Sequence, residues 1–264
     1  MEQQPATSAS TPPPEPAKAP SLSLVGRMFN VFADPSQVFD EVKDSPPCAA
    51  NWLTPALILI VLGWLGAWIV FSQDTTKHQI AETIERSVEQ SHLPPEQADR
   101  AREMGLKIGF IIAKVAAVAG PPIAAFVTPF WGAFLLWLVG AKILKGDFPF
   151  MKAVEIAGLI NMLGLLESIL RTLLILVRGD LYATASLTLL LEHFDPQSPT
   201  HALLAAVDVI TLWVLALRAV AVARLSRASF AKALCWLLGL WVVLNGLKVG
   251  YLFAIQALRG LGKH

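Results

Sequence analysis

The segment from Trp52 to Phe71, WLTPALILIVLGWLGAWIVF, contains no charged side chain. It is as long as the roughly 20 apolar residues with which an α-helix crosses the hydrocarbon core of a bilayer. A helix satisfies its backbone hydrogen bonds internally, so such a run predicts a transmembrane helix rather than an isolated strand. Comparable apolar segments lie at 121–141, 151–177, 202–223 and 233–258.

The composition agrees with a chain that is mostly embedded in lipid. Hydrophobic residues make up 55% of the 264 residues and charged residues 16%, whereas a soluble domain carries about 25% charged residues. The net charge of +1 gives no strongly basic surface for nucleic acid. The predicted fold class is therefore all-α: a polytopic membrane protein whose domain, 52–258, is a bundle of about five transmembrane helices near 52–71 and the four segments above.

Two further regions precede the membrane domain. Residues 1–21 are rich in Pro, Ala, Ser and Thr and predict a disordered tail. Residues 22–47 predict two short amphipathic helices on the cytosolic side, which lie at the membrane surface or pack against the protein. In the second of them Asp34 is positioned as the N-cap and Pro35 as the first helical residue.

The lengths of the segments between the spans indicate which of them cross the bilayer. The segment 72–107 predicts an outer loop with helical pieces, and Leu181–Phe194 is too short to cross a bilayer. The apolar run Leu106–Leu144 is too long for one straight span, and Gly120-Pro121-Pro122 interrupts it. Because proline fits the first turn of a helix, the second span is expected to begin at Pro121, with 108–119 extending it outward or lying in the interface.

The distribution of Lys and Arg predicts the orientation. With the N-terminus in the cytoplasm and the C-terminus outside, the third-to-fourth connection on the outer face holds only Arg178. The cytoplasmic segments then hold Lys18, Arg27, Lys43, Lys142, Lys145, Lys152, Arg224, Arg227 and Lys232. We therefore expect a multi-pass protein of the bilayer, in the cytoplasmic (inner) membrane if the source is bacterial.

Motifs for catalysis are absent from the sequence. The histidines lie in loops or at the tail, and no Gly-x-Ser-x-Gly or phosphate-binding loop occurs. Cys48 and Cys235 lie far apart and predict neither a disulfide framework nor a zinc site. We therefore expect no catalytic residue, no metal and no cofactor.

Ionisable residues inside the spans are the candidate functional residues instead. A charge at the bilayer centre costs at least about 2.5 kcal/mol, so each should face protein or water and have a partner. Glu167 and Arg171 are neighbours on one helix face. We predict a polar cluster in the outer half of the bundle, with a deeper extension; its residues are Glu167, Arg171, Asp208 and Lys248, extended by Asn161, Arg218 and Asn245.

Two roles are open for this cluster. Its charge pairs could lock the helices together, or they could line a path for an ion, a proton or a small solute. Glycines within the spans are expected to permit close helix packing; these are Gly63, Gly66, Gly158 and Gly164.

Four short segments resemble the Yip domain family, five-span membrane proteins that interact with Ypt/Rab GTPases, and in particular its bacterial-type members. One is the juxtamembrane motif F-x-D-P-x-x-V-F, formed by Phe32, Asp34, Pro35, Val38 and Phe39. The others are K-x-x-x-G-D-F-x-F-x-K-A at 142–153, D-x-x-x-x-W at 208–213 and the basic connection 224–233. The resemblance implies a five-helix domain with a cytosolic N-terminal region.

Because catalytic motifs are missing from the sequence, we expect a non-enzymatic function. Eukaryotic relatives are linked to small GTPases and vesicle traffic, but this chain has no D-L-Y-G-P segment in its N-terminal region. The leading expectation is a scaffold that binds protein partners on the cytosolic side or organises the membrane, with the helices of 22–47 as its contact surface. The alternative is a permease for a small solute or ion that uses the charged cluster.

Overall fold

The part of the chain that the computed structural model describes, residues 22–91, 93–191, 194–195 and 198–261, is almost entirely helical. The predicted tail, 1–21, lies outside these ranges. The first helices are α1 Leu24–Ala33, α2 Pro35–Asp44, α3 Ala50–Ser72, α4 Asp74–Gln90 and α5 Pro95–Trp137. The rest are α6 Phe150–Ile160, α7 Leu163–Arg178, α8 Pro199–Ala206, α9 Val209–Ser226 and α10 Phe230–Leu261.

Five membrane-spanning segments confirm the predicted fold class. By length and apolar composition, the candidates within the described residues are Ala50–Ser72, Pro95–Ile143, Phe150–Arg178, Val209–Ser226 and Phe230–Leu258. The second joins α5 to a π-helical turn, Leu138–Ile143, and the third joins α6 to α7. We call the end of the bundle next to α1 and α2 the N-terminal face, and the end next to α4 the opposite face.

The second span differs from the expected start at Pro121. Helix α5 continues unbroken through Pro121, Pro122 and Pro129 from Pro95. Together with the π-helical turn it is about 70 Å long at 1.5 Å per residue, more than twice the hydrocarbon thickness. The Pro121 ring packs on α3, where Gly63 leaves room: a Cβ on Gly63 would lie 2.7 Å from the Pro121 Cβ.

The fourth span also differs from the interval 202–223. It is divided at Val207-Asp208 into α8 and α9, because Asp208 has extended backbone angles and caps α9. Just before it, the 3₁₀ turn Leu187–Leu190 packs beside α8, and Ser186 forms an isolated β-bridge with Asp208. The segment after α7 therefore folds back over the opposite face instead of crossing.

The juxtamembrane helices pack against the membrane domain. Asp34 is the N-cap of α2, since its Oδ1 accepts a hydrogen bond of 3.1 Å from the Gln37 amide, and Pro35 is the first helical residue. Val38 and Phe39 are fully buried in the main core, which includes residues of α5, α6, α9 and α10. Phe32, the first residue of the juxtamembrane motif, packs its ring edge-on against that of Trp213, with the ring centroids 6.1 Å apart.

Candidate functional site: cavities that meet at Glu167

The third span is broken inside the membrane domain. At Asn161-Met162 the α-helical pattern gives way to a turn, in which the Gly164 amide donates to the Asn161 carbonyl at 2.8 Å. The Asn161 side chain donates to Thr128 Oγ1 of α5 at 3.1 Å. Irregular backbone at membrane depth is tolerated only where protein buries it or where it lines a cavity. Asn161 lines a cavity.

That first cavity has a volume of about 450 Å³. Its walls are mostly apolar and come from α3, α5, α6, α7, α9 and α10. Its polar lining consists of Thr128, Asn161, Glu167, Thr211 and Arg218. Arg218 reaches across from α9 to α5, where the absent side chain of Gly132 makes space: a Cβ there would lie 3.3 Å from Arg218 Nη2.

A polar stripe on α7 lines the neighbouring space. Its residues recur at helical spacing on an otherwise apolar helix, which marks one face of α7 as polar. They line a second cavity of about 440 Å³ between α3, α5 and α7 and are Gly164, Glu167, Ser168, Arg171 and Thr172. A third cavity, of about 190 Å³, lies toward the opposite face and is lined by Glu167, Arg171, Thr184 and Asp208.

Glu167 lines all three cavities and is the residue at which they meet. Glu167 and Arg171 are exposed rather than sealed among apolar side chains. Within the described ranges, no carboxylate lies within ion-pair distance of Arg171 or Arg218. The guanidinium groups of Arg171 and Arg218 therefore line the cavities without forming an ion pair with any described carboxylate.

Asp208 has a structural role within this group. Its Oδ1 accepts hydrogen bonds from the amides of Ile210 at 2.7 Å and Thr211 at 3.2 Å, and its Oδ2 accepts one from Thr211 Oγ1 at 2.6 Å. These bonds satisfy the free amides at the start of α9. Asp208 thus borders the third cavity while its carboxylate is engaged as a helix cap.

Two of the predicted residues do not reach the cavities. Lys248 is exposed on α10, which packs against α8 and α9 rather than against α7, and it lines none of the three cavities. Asn245 lies on the same helix and donates to the Trp241 carbonyl of its own preceding turn at 2.9 Å. Their depth in the bundle, derived from the helical rise, stays a prediction, and the sequence did not predict the direction in which α10 presents them.

A second polar network, at the N-terminal face, was not predicted as a site. Asn51 of α3 is fully buried; its Nδ2 donates to Glu155 Oε2 at 2.7 Å, and its Oδ1 accepts from Arg27 at 3.3 Å. Glu155, 1% exposed, also lies 3.1 Å from Lys152 Nζ. Arg27 of α1 completes the network with an ion pair of 2.8 Å to Glu41 of α2.

This network joins α1, α2, α3 and α6, and its residues line none of the three cavities described above. Lys152 Nζ also donates to the Pro46 carbonyl, in the link between α2 and α3, at 3.2 Å. The sequence contained one signal for it: Lys152 and Glu155 are three residues apart in an apolar helix, the spacing of side-chain neighbours. The role of the predicted cluster, helix locking or a solute path, stays a prediction.

Metal binding has no support in the described part of the chain, where no group of three or more His, Cys, Asp or Glu could hold an ion. A search of the curated proteins gave no match, and neither did a search of the solved structures. The model of one family, the Yip1 domain, matches residues 29–249. This range covers most of the chain, from α1 to α10, and the chain therefore belongs to the Yip1 domain family.

Proposed function

We propose that this non-enzymatic membrane protein carries a small polar solute or ion through the bundle along the cavities that meet at Glu167. The observation behind the proposal is that Glu167 borders all three cavities beside the broken third span. Charged residues within membrane spans face the bundle interior or a water-filled cavity and commonly mark the path of an ion or solute. Discontinuous helices contribute substrate sites in transporters because their half-helix ends and unwound backbone offer groups that bind the substrate.

The chemistry of the lining suggests which solutes to test. Arg171 and Arg218 offer guanidinium donors on either side of the Glu167 carboxylate, and Asn161 and Thr211 offer neutral hydrogen-bonding groups. Such a lining can bind an anionic and a cationic group at once. Small zwitterions and ions therefore fit it better than apolar molecules.

The proposal is tested by flux in liposomes that contain the purified full chain. The probes are protons, potassium, chloride and a radiolabelled amino-acid mixture. Glu167→Gln keeps the shape of the side chain but removes its charge. Because an interaction with a charged group contributes about 1.5–3 kcal/mol, the variant should lower the flux of the carried probe about tenfold or more.

Glu89→Gln is the matched control, since Glu89 is an exposed carboxylate on α4 outside the three cavities. It should carry the probe at the wild-type rate. Both variants should elute as single species in size-exclusion chromatography, which excludes misfolding as the cause. Equal flux through both variants, or no protein-dependent flux of any of the four probes, would contradict the proposal.

A second candidate function is a cytosolic scaffold, and it is favoured by the fixed position of α1 and α2. Their inner side is anchored by the network of Arg27, Glu41 and Asn51, whereas Gln37 and Asp44 are exposed. A surface that is held rigidly loses little entropy when a protein partner binds to it. Deleting residues 22–43 would not test this function, because fully buried Val31, Val38, Phe39 and Val42 would be removed.

A photo-crosslinking amino acid at position 37 gives a cleaner test in native membranes. We expect a discrete crosslinked product from position 37 that is missing when the same amino acid replaces Glu89 on α4. A product of the same mass from both positions would indicate that the crosslinked protein is not bound specifically at α2. That result, or no product at position 37, would contradict the scaffold function.

A further inference from the structure

A basic cavity lies at the N-terminal face, apart from the three cavities that meet at Glu167. It has a volume of about 640 Å³ and separates α2 from the connection between α9 and α10. Its charged lining comprises three cations, Lys43, Arg224 and Arg227, and one carboxylate, Asp40. The cations outnumber the acid, so the cavity can accept an anion.

The hydrogen bonds inside the cavity leave part of this positive charge uncompensated. Arg224 Nη1 lies 3.2 Å from Asp40 Oδ2, so these two charges compensate each other. Lys43 Nζ donates to the Arg224 carbonyl at 2.9 Å, a bond that satisfies one donor but does not neutralise the ammonium. Arg227 forms no ion pair in the described part of the chain.

The start of α10 adds a second, independent attraction for an anion. Phe230, the first residue of this 32-residue helix, and Ala228, two residues before it, line the cavity. The first amides of a helix carry partial positive charge and point out of its N-terminus. The Ser36 hydroxyl, on the α2 side, offers a further donor.

The remaining walls are apolar and continue into the membrane-spanning part of α9. They are formed by Val220, Ala223, Ala228 and Phe230, of which Phe230 is exposed. A free inorganic anion would gain nothing from such walls, whereas a phospholipid has a phosphate for the cations and hydrocarbon for the apolar side. Basic pockets at the ends of membrane helices bind anionic headgroups in this way.

We propose that this cavity binds the headgroup of an anionic phospholipid from the leaflet at the N-terminal face, with Lys43 and Arg227 as its main charge contacts. The bound lipid connects α2 to α9 and α10. The site is separate from the cavities at Glu167 and does not depend on what they carry.

Native mass spectrometry of the purified full chain tests the proposal, with phosphatidylglycerol and phosphatidylcholine added in equal amounts. The wild-type protein should retain phosphatidylglycerol preferentially. Each Lys or Arg near a membrane surface adds to the attraction for anionic lipids, so Arg227→Gln should weaken the retention of phosphatidylglycerol roughly fivefold. The double variant Lys43→Gln, Arg227→Gln should weaken it further. Lys232→Gln is the matched control: it removes an exposed charge at the same face but outside the cavity.

A variant with the opposite expected effect separates binding from misfolding. Asp40→Asn removes the cavity's carboxylate and frees Arg224, so it should increase retention of phosphatidylglycerol. Equal loss in Arg227→Gln and Lys232→Gln, or equal retention of the two lipids by the wild-type protein, would overturn the proposal. If inorganic phosphate raised the melting temperature of the protein as much as phosphatidylglycerol does, the claim that the ligand is a phospholipid would be wrong.

Discussion

At the scale of single residues, Glu155 illustrates how a charge is tolerated deep in an apolar helix. Its Oε2 accepts a hydrogen bond of 2.7 Å from Asn51 Nδ2, and its Oε1 lies 3.1 Å from Lys152 Nζ, within ion-pair distance. Each of the three side chains is almost completely buried. A buried ion pair adds little net stability compared with apolar residues, but loss of one partner leaves the other charge uncompensated.

Replacing only Glu155 of the Lys152–Glu155 pair should therefore destabilise the protein more than replacing both residues. We expect Glu155→Met to lower the free energy of unfolding by about 3–5 kcal/mol, because the Lys152 ammonium stays buried. The double variant Lys152→Met, Glu155→Met should be markedly more stable than the single one. Unfolding in mixed detergent micelles measures both.

The exposed pair of Lys77 and Asp74 on α4 provides the control for this double-mutant cycle. Its nitrogen and oxygen lie 2.7 Å apart, at the surface. Exposed ion pairs contribute little because water screens them, so Lys77→Met should leave the unfolding transition unchanged. A double variant at 152 and 155 that is less stable than Glu155→Met would contradict the role assigned to the pair.

At the scale of elements, the crossing of α3 and α6 depends on a glycine. A Cβ on Gly158 of α6 would lie 2.3 Å from both the Cα and the Cβ of Trp52 on α3. Since real side chains do not approach so closely, α3 and α6 can cross here only without a Cβ. The predicted packing role of Gly158 is confirmed, and Gly63 and Gly66 also lie at such close approaches.

Two Gly→Ala substitutions should consequently have opposite effects. Gly158→Ala forces the backbones of α3 and α6 apart, which should cost about 3 kcal/mol of stability or slightly less. Gly239→Ala on α10 meets no atom within 4 Å. It should stabilise by up to about 1 kcal/mol, because alanine favours the helix. Melting temperatures in one detergent compare the two; destabilisation by both would contradict the close crossing.

The elements also differ in how far the sequence could predict them. The apolar runs predict the spans, and the Asp34-Pro35 pair predicts the start of α2, because both depend on local chemistry. The break at Asn161-Met162 has no proline nearby that would predict it, and Thr128, which accepts a hydrogen bond from the Asn161 side chain, lies on another helix. The side of α10 that carries Lys248 likewise depends on packing, which one sequence does not determine.

At the scale of the whole molecule, the juxtamembrane helices and the bundle form one folded unit. A single core includes Val31 and Phe39 from the N-terminal helices together with residues of α5, α6 and α9. The buried network of Asn51 and Glu155 ties the same parts together through polar contacts. The family match begins at residue 29, within α1, so the Yip1 domain includes these juxtamembrane helices from residue 29 onward.

Deletion of residues 22–44 should accordingly abolish folding. The deletion removes five fully or nearly fully buried apolar side chains and leaves Asn51 without Arg27. We expect it to give aggregated protein in size-exclusion chromatography. Deletion of residues 2–21 is the control and should leave the melting temperature unchanged. A monodisperse protein without residues 22–44 would contradict the single folded unit.

The number of spans and the positions of the charges together predict the topology. Five spans predict that the two ends of the membrane domain lie on opposite sides of the bilayer, and the basic residues near α2 and the α9–α10 connection predict that the N-terminal face lies in the cytoplasm. In a chain with Cys48 and Cys235 replaced by alanine, exposed Asp44 and Ser87 offer one reporter for each face. A membrane-impermeant maleimide should label Ser87→Cys in intact cells, and Asp44→Cys only after permeabilisation. Labelling in the reverse order would mean that the acidic residues of α4, and not the basic residues at the N-terminal face, decide the orientation.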